Sequence, residues 1–280
     1  MPFATARDGT RLRYETFGDR RAEPLLLIQG LGADARGWLL QRWALRRYRC
    51  IAFDNRGVGG SDRPEGPYDL TVMAEDAVAV LDAAGVGAAH VMGASMGGVI
   101  AQLLAVWHPE RVRSLVLACT ACHHHQWRRD LLEDWARTAR ERGMGPLAAR
   151  SLRWLVGPRS RRRLQFPAQV LGSLVFATTP DAFASQVAAI LAADDRLRGE
   201  LIGLDVPTLV VVGSQDILTP VADAEELAEL ILGAELAVVP RAGHGVMAEQ
   251  PRAFNRAVLE FLGRQVGMPS TSEEPTAASA

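Results

Sequence analysis

Hydrophobic positions along the chain fall into two kinds of run, and their alternation outlines the fold. Short, nearly continuous apolar runs at Leu25–Gln29, Tyr48–Asp54, Ala89–Met92, Val112–Ala118, Pro207–Val212 and Glu235–Pro240 have the length and density of strands buried on both faces. Longer segments at Leu70–Ala84, Gly98–Trp107 and Pro251–Gln265 read as helices. Thr71 is the expected N-cap of the Leu70–Ala84 helix and Gly85 its stop. Residues 3–17 read as a strand pair turning at Asp8-Gly9. Strands that alternate with helices predict an α/β fold, a mostly parallel sheet covered on both faces. The rhythm breaks between about Ala121 and Leu204. That stretch has no clear strand, but helical patterns at Asp130–Arg142, Gly145–Val156, Arg161–Phe176 and Asp181–Asp194. Gly267–Ala280 is rich in Pro, Ser, Thr, Ala and Glu and reads as a disordered tail.

The chemistry gathers at the ends of the predicted strands. Gly93-Ala94-Ser95-Met96-Gly97 lies between a strand and a helix, the context of a nucleophile elbow. There a serine is thrust out on a strained turn, and side chains at 93 and 97 would collide with neighbouring backbone. Asp216 lies just after the Pro207–Val212 strand, and His244 just after the Glu235–Pro240 strand. Asp216 is not needed to cap the next helix, since Thr219-Pro220 supplies an N-cap and a favoured first residue. A serine hydroxyl is a poor nucleophile at neutral pH. It needs an imidazole to take its proton and a carboxylate to hold that imidazole in the right tautomer. Ser95, Asp216 and His244 supply these groups, in the chain order Ser…Asp…His.

Several segments together resemble the α/β-hydrolase superfamily, in its capped esterase, enol-lactonase and cofactor-free haloperoxidase branch. They are Leu26-Leu27-Ile28-Gln29-Gly30-Leu31-Gly32, Phe53-Asp54-Asn55-Arg56-Gly57-Val58-Gly59, the elbow, the Asp216 strand, and Ala242-Gly243-His244 with Glu249-Gln250-Pro251. The matching segments run from Leu25 to about Leu262. Gln29 departs from the family, which usually has histidine there. The resemblance implies a hydrolase core over residues 1–120 and 205–266, with 121–204 inserted as a helical cap that sets substrate shape. It also implies that the backbone amides of Leu31 and Met96 form the oxyanion hole. The expected activity is cleavage of a carboxylic ester or lactone through an acyl-enzyme, without cofactor or metal. The alternative that the resemblance implies is an enol-lactone hydrolase of aromatic catabolism. A serine at the elbow excludes the dehalogenase and epoxide-hydrolase branches, which use aspartate there. Gly245-Val246-Met247-Ala248 lacks the tryptophan that carbon–carbon bond hydrolases usually carry after their histidine. A rival from another class is a ligand receptor that keeps the triad on the same fold.

Composition narrows the picture further. The net charge is −1, so no global field favours nucleic acid or an anionic membrane. All 31 basic residues are arginine, which excludes lysine Schiff-base chemistry. No apolar run approaches the roughly 20 residues needed to cross a bilayer. The first nine residues lack an apolar signal core, and with three cysteines the expectation is a cytoplasmic protein acting on a small molecule. Cys119-Thr120-Ala121-Cys122-His123, followed by His124 and His125, matches a haem-attachment pattern and hints at zinc. It is read instead as the loop leaving the sheet, close enough to the pocket mouth for a histidine to touch substrate. The run Arg159, Arg161, Arg162 and Arg163 is expected to be mostly solvated, although one inward arginine would select acidic substrates. Trp127, Trp135, Trp154, Leu152, Leu155 and Phe176 are expected to form pocket wall or the core of the insertion.

Overall fold

The structure is a computed structural model describing residues 2–162, 176–193 and 196–265. Its strands are β1 (Phe3–Thr5), β2 (Arg11–Gly18), β3 (Pro24–Ile28), β4 (Arg49–Phe53), β5 (Ala89–Ala94), β6 (Val112–Ala118), β7 (Thr208–Gly213) and β8 (Glu235–Val239). They form one sheet in the order β1-β2-β4-β3-β5-β6-β7-β8. The β1–β2 and β2–β4 pairs are antiparallel, and from β4 to β8 every pair is parallel. The helices are α1 (Arg42–Leu45), α2 (Leu70–Ala83), α3 (Met96–Trp107), α4 (Gln126–Arg142), α5 (Met144–Leu155), α6 (Pro180–Ala192), α7 (Arg196–Glu200), α8 (Val221–Leu230), α9 (Val246–Glu249) and α10 (Pro251–Gln265).

Alternate residues of the central strands feed two apolar layers. Leu26, Ile28, Val91, Leu115, Leu117, Val210 and Val212 pack on the α2 and α3 side with Met73, Ala77, Ile100 and Leu104. Leu25, Leu27, Met92, Val116 and Val211 face the other way, against Trp38 and the Phe254, Val258, Phe261 and Leu262 face of α10. This is why these strands read as continuous apolar runs: both faces are covered, and every residue of β5 and β7 is buried.

The start of α2 differs from expectation. Asp69, not Thr71, is the N-cap; its backbone is extended and its carboxylate accepts from Thr71 N at 2.7 Å. A carboxylate favours the positive end of the helix, and Asp69 comes first in the chain. The stop falls as predicted, with Gly85 at φ +65° just beyond the last turn.

Between β6 and β7 the chain runs through α4, α5, α6 and α7. Helix α4 packs against both α5 and α6. It begins four residues before the predicted Asp130, because polar Gln126 and Arg129 extend its first turn. Residues 163–175, most of the predicted Arg161–Phe176 helix, lie outside the described residues, as do Asp194, Asp195 and the 267–280 segment. Phe176–Thr178 is stitched to the strand-end loops: Ala177 N donates to Gly32 O at 2.8 Å, and Gly59 N donates to Ala177 O at 2.7 Å. No described helix is long and apolar enough to cross a membrane.

His90 lies buried in β5, 2.8 Å from Ser114 Oγ, and burial lowers its pKa to about 4. The folded form therefore binds fewer protons than an unfolded chain whose histidine titrates near 6.5. His90 should stabilise the fold above about pH 6.5, with the contribution lost as pH falls from there toward about 4. Urea midpoints at pH 7.5 and 5 should show the loss, and a His90→Gln variant should show less of it. An equal pH slope in that variant would assign the loss to other groups.

Candidate active site

The parallel strands end along one edge of the sheet, and the predicted residues gather there. β3 and β5 lie side by side where the strand order reverses, which is where open α/β sheets leave a crevice beyond their carboxyl ends. Ser95 is the residue between β5 and α3. Its backbone, at φ 54° and ψ −122°, lies outside the usual regions for an L-residue. Neighbours hold it there. Ser95 N donates to Ala118 O at 2.9 Å, while Ser95 O accepts from Gly98 N and Thr120 Oγ1, each at 2.8 Å. The two elbow glycines are required by close packing. A Cβ at Gly93 would overlap the Gly97 carbonyl, and one at Gly97 would overlap the Ile28 carbonyl at the end of β3.

Ser95, His244 and Asp216 form one hydrogen-bonded line. His244 Nε2 is 3.0 Å from Ser95 Oγ, and His244 Nδ1 is 2.8 Å from Asp216 Oδ2. Asp216 and His244 are both buried. Asp216 Oδ1 accepts from the backbone amides of Leu218 and Thr219, each at 2.9 Å. Burial pushes the Asp216 carboxyl up, but His244 and the Thr219 donors outweigh burial and hold it below the ordinary value. Thr219 differs from its expected role as the cap of the next helix. That N-cap is Pro220, with no side-chain bond. The Thr219 hydroxyl instead donates to Asp216 Oδ2 at 2.8 Å and lies 3.1 Å from His244 Nδ1. Only the turn after β7, which folds Thr219 back over Asp216, makes it part of the site.

The loop after β3 lies across the start of α3. Leu31 and Met96 line the same cavity as Ser95. Met96 opens α3, so its amide is among those a helix start leaves without an intrahelical partner. The Gln29 side chain is buried beside Gly37, where any Cβ would overlap its amide. Gln29 Oε1 lies 3.3 Å from Gly30 N, and Asn55 Nδ2 donates to Gln29 O at 2.9 Å. Asp54 accepts from Ala35 N and Gly60 N, each at 2.9 Å. Asp54 and Asn55 thus tie loops together.

Two further residues reach this region from elsewhere. Gln186 on α6 is fully buried; its Oε1 accepts from Gly32 N and its Nε2 donates to Arg56 O, each at 2.9 Å. Glu249 accepts from Gly243 N at 2.7 Å and from Gly157 N at 3.0 Å, tying the His244 loop to the end of the α5 segment. Neither was legible as a site residue, because each acts through a contact more than one element away. Gln186→Leu should lower kcat by roughly 10–100-fold with little change in KM, since it loosens the Gly30–Gly32 loop and not the pocket wall. Steady-state kinetics on a variant with preserved Tm checks this; an unchanged kcat would make Gln186 a packing residue.

The cavity beside Ser95 is about 400 Å³ and mostly apolar. Leu132, Trp135, Leu152, Leu155, Phe176 and Ile190 roof it. Trp154 packs against the apolar core, as expected, and stacks on Trp127, ring centroids 5.8 Å apart; Trp127 is exposed. Arg159, Arg161 and Arg162 are exposed, and Arg163 lies outside the described residues. Among the described residues, the arginine that lines the cavity is Arg128. It is spent on Asp223, Leu218 O and His123 O. His124 lines the cavity too. Burial, with Arg128 nearby, lowers its pKa to about 3, so it is neutral at physiological pH. His124 Nδ1 and Trp135 Nε1 are buried without a hydrogen-bond partner among the described residues.

The haem-like cluster is split. Cys119, at φ 48° after β6, has its thiol against Asp216 and His244, where burial and the Asp216 charge push it well above the ordinary range. Cys122 turns away toward His123 and Glu226.

The alpha/beta hydrolase fold family model matches residues 23–251. The chain is 33% identical over 265 residues to 3-oxoadipate enol-lactonase 2 of Acinetobacter baylyi, covering 93% of this chain and 96% of that protein. It is 34% identical over 273 residues to a putative carbamate hydrolase RutD of Azorhizobium caulinodans, covering 94% and 98%. The crystal structure of the enol-lactonase from Burkholderia xenovorans superposes with a TM-score of 0.86 at 32% identity, covering 94% of this chain and all of that one. The chain is thus a member of the α/β hydrolase fold family.

Proposed function

We propose that this hydrolase cleaves a carboxylic ester or lactone, with Ser95 as nucleophile. The observation that carries the reading is the line Ser95 Oγ–His244 Nε2–His244 Nδ1–Asp216 Oδ2 opening on an apolar cavity. As Ser95 Oγ attacks the carbonyl, His244 Nε2 takes its proton and Asp216 stabilises the imidazolium. The oxyanion sits between the Leu31 and Met96 amides, each such donor being worth about 3–4 kcal/mol in the transition state. His244 then gives its proton to the leaving oxygen, which departs and leaves an acyl group on Ser95. Water, deprotonated by His244, releases the acid.

Lactone substrates are the favoured subset, since two of the relatives above are named enol-lactonases. A lactone keeps its leaving oxygen tethered to the acyl group, so one compact cavity holds both halves. The RutD relative makes a carbamate the comparison substrate. Activity-based labelling and then turnover on simple esters, enol-lactones and carbamates tests the reading. One fluorophosphonate adduct on the Ser95 peptide and steady turnover of esters or lactones are expected. Preference for carbamates would reassign the substrate. A single slow turnover accompanied by a shift in Tm would point to a receptor.

We also infer that residues 121–204 act as a cap over the cavity. Trp135→Phe or Phe176→Leu should then reorder the preference among acyl groups by about tenfold while Ser95 labelling persists. Folded variants that lose labelling would place these side chains in the chemistry. The exposure of Arg159, Arg161 and Arg162 argues against their selecting an acidic substrate.

A further inference from the structure

Away from the Ser95 line, the fold assembles a set of metal-type donors from two distant parts of the chain. Cys122 and His123 lie on the loop between β6 and α4, and Glu226 lies on α8. Cys122 Sγ, a His123 ring nitrogen and a Glu226 carboxylate oxygen all fall within 4.8 Å of one another. His123 Nδ1 is 3.1 Å from Glu226 Oε2. The set sits at an open cleft of about 510 Å³ lined by His123, Arg198, Gly199, Ile202 and Glu226. Cys122 is buried beneath, while the His123 and Glu226 side chains are each 22% exposed.

The outward atoms of these residues are already engaged. His123 Nε2 lies 3.4 Å from His125 Nδ1, and Glu226 Oε1 accepts from Arg198 Nε at 2.6 Å. That leaves His123 Nδ1 and Glu226 Oε2 facing each other, with the thiol alongside. Partners behind the ligating atoms are what orient an imidazole and a carboxylate toward an ion.

We propose that Cys122, His123 and Glu226 bind a divalent transition ion, zinc by preference. One sulfur, one imidazole nitrogen and one carboxylate oxygen suit a borderline-soft tetrahedral ion better than calcium or magnesium, which favour all-oxygen sites. Three protein ligands leave the fourth position to water from the cleft. The donor set differs from the one the Cys-x-x-Cys spacing suggests, since Cys119 turns to the other side and Glu226 is 103 residues from His123. Among the described residues, none of the three lines the Ser95 cavity. Cys119, Asp216 and His244 also lie within 4.8 Å of one another, but the last two are engaged with each other and with Ser95. An ion at Cys122 would pin the β6–α4 loop to α8. His124 belongs to that loop, so the ion would fix one wall of the cavity without taking part in the chemistry.

The test begins with full-length protein stripped by a chelator and titrated with zinc in competition with a chromophoric chelator. One zinc per chain is expected, with a higher Tm on binding. Cobalt in place of zinc should give a thiolate-to-metal charge-transfer band. Groups behind a ligand are worth about 10–100-fold in affinity, so Cys122→Ser, His123→Ala and Glu226→Gln should each weaken zinc binding by at least about 100-fold. Cys122→Ser should also abolish the cobalt band. Glu226→Gln guards against misfolding as an explanation, because it is nearly isosteric; its metal-free Tm should match that of the metal-free wild type. Failure to bind one zinc, or a Cys122→Ser variant that keeps both affinity and band, would overturn the proposal. Zinc that blocks fluorophosphonate labelling would also overturn it, by placing the ion at His244. Labelling unchanged by zinc is expected, so this proposal and the Ser95 reading fail separately.

Discussion

Ser95→Ala is expected to lower kcat on any ester substrate by roughly 10⁶ and to abolish fluorophosphonate labelling, with Tm nearly unchanged. The size reflects the groups that the variant removes. Without Oγ there is no acyl-enzyme, and His244 Nε2 loses the group it faces at 3.0 Å. On the proposed mechanism the remaining catalysis would come from the Leu31 and Met96 amides and binding alone, a residual of about 10³–10⁴ over water. The backbone should not relax. Its positive φ is held by the bonds from Gly98 N and Thr120 Oγ1 to Ser95 O and from Ser95 N to Ala118 O, and alanine keeps all of them. Single-turnover kinetics and intact mass on the same sample check both parts. Turnover within tenfold of wild type would mean that His244 activates water directly, and the acyl-enzyme route would be wrong.

The parts of this site that were legible in the sequence share one property: each sits within a few residues of a strand end. A buried parallel strand announces itself as an apolar run, and the residues just past its C-terminal end must emerge at the same edge of the sheet. Ser95, Asp216 and His244 are legible on that basis, and the structure brings them together. Gly93 and Gly97 are also readable, because the required close approach is local. The partners that arrive from elsewhere are not. Gln186 reads as one polar residue in an apolar helix, and only the packing of α6 over the β3 loop gives it Gly32 N as a partner. Glu249 reads as part of a family-like string, while its bonds reach back to Gly157. The Cys119–Cys122 spacing suggests one cluster, yet the positive φ at Cys119 sends the two thiols to opposite sides. Helix starts shift by a few residues where polar side chains mask the first turn, as at Gln126.

Asp216→Asn separates the two jobs of the Asp216 side chain. Oδ1 accepts from the amides of Leu218 and Thr219 and so fixes the turn after β7, while Oδ2 faces His244 Nδ1. Asparagine can keep its oxygen on the two amides, so Tm should hold. Its NH₂ then replaces Oδ2, opposite His244 Nδ1 and the Thr219 hydroxyl. A donor there favours the tautomer in which Nδ1 accepts and Nε2 carries the hydrogen, leaving no base for Ser95. The expected loss in kcat is roughly 10³–10⁴, with fluorophosphonate labelling slowed in proportion. Asp216→Ala should lose a similar factor in rate, but it also strands two buried amides at about 1–3 kcal/mol each, so its Tm should fall as well. Melting curves and kcat for both variants therefore distinguish a catalytic carboxylate from a structural one. If Asp216 only held its turn, Asp216→Asn would be nearly silent in both measurements, and the carboxylate partner of His244 would have to be sought elsewhere.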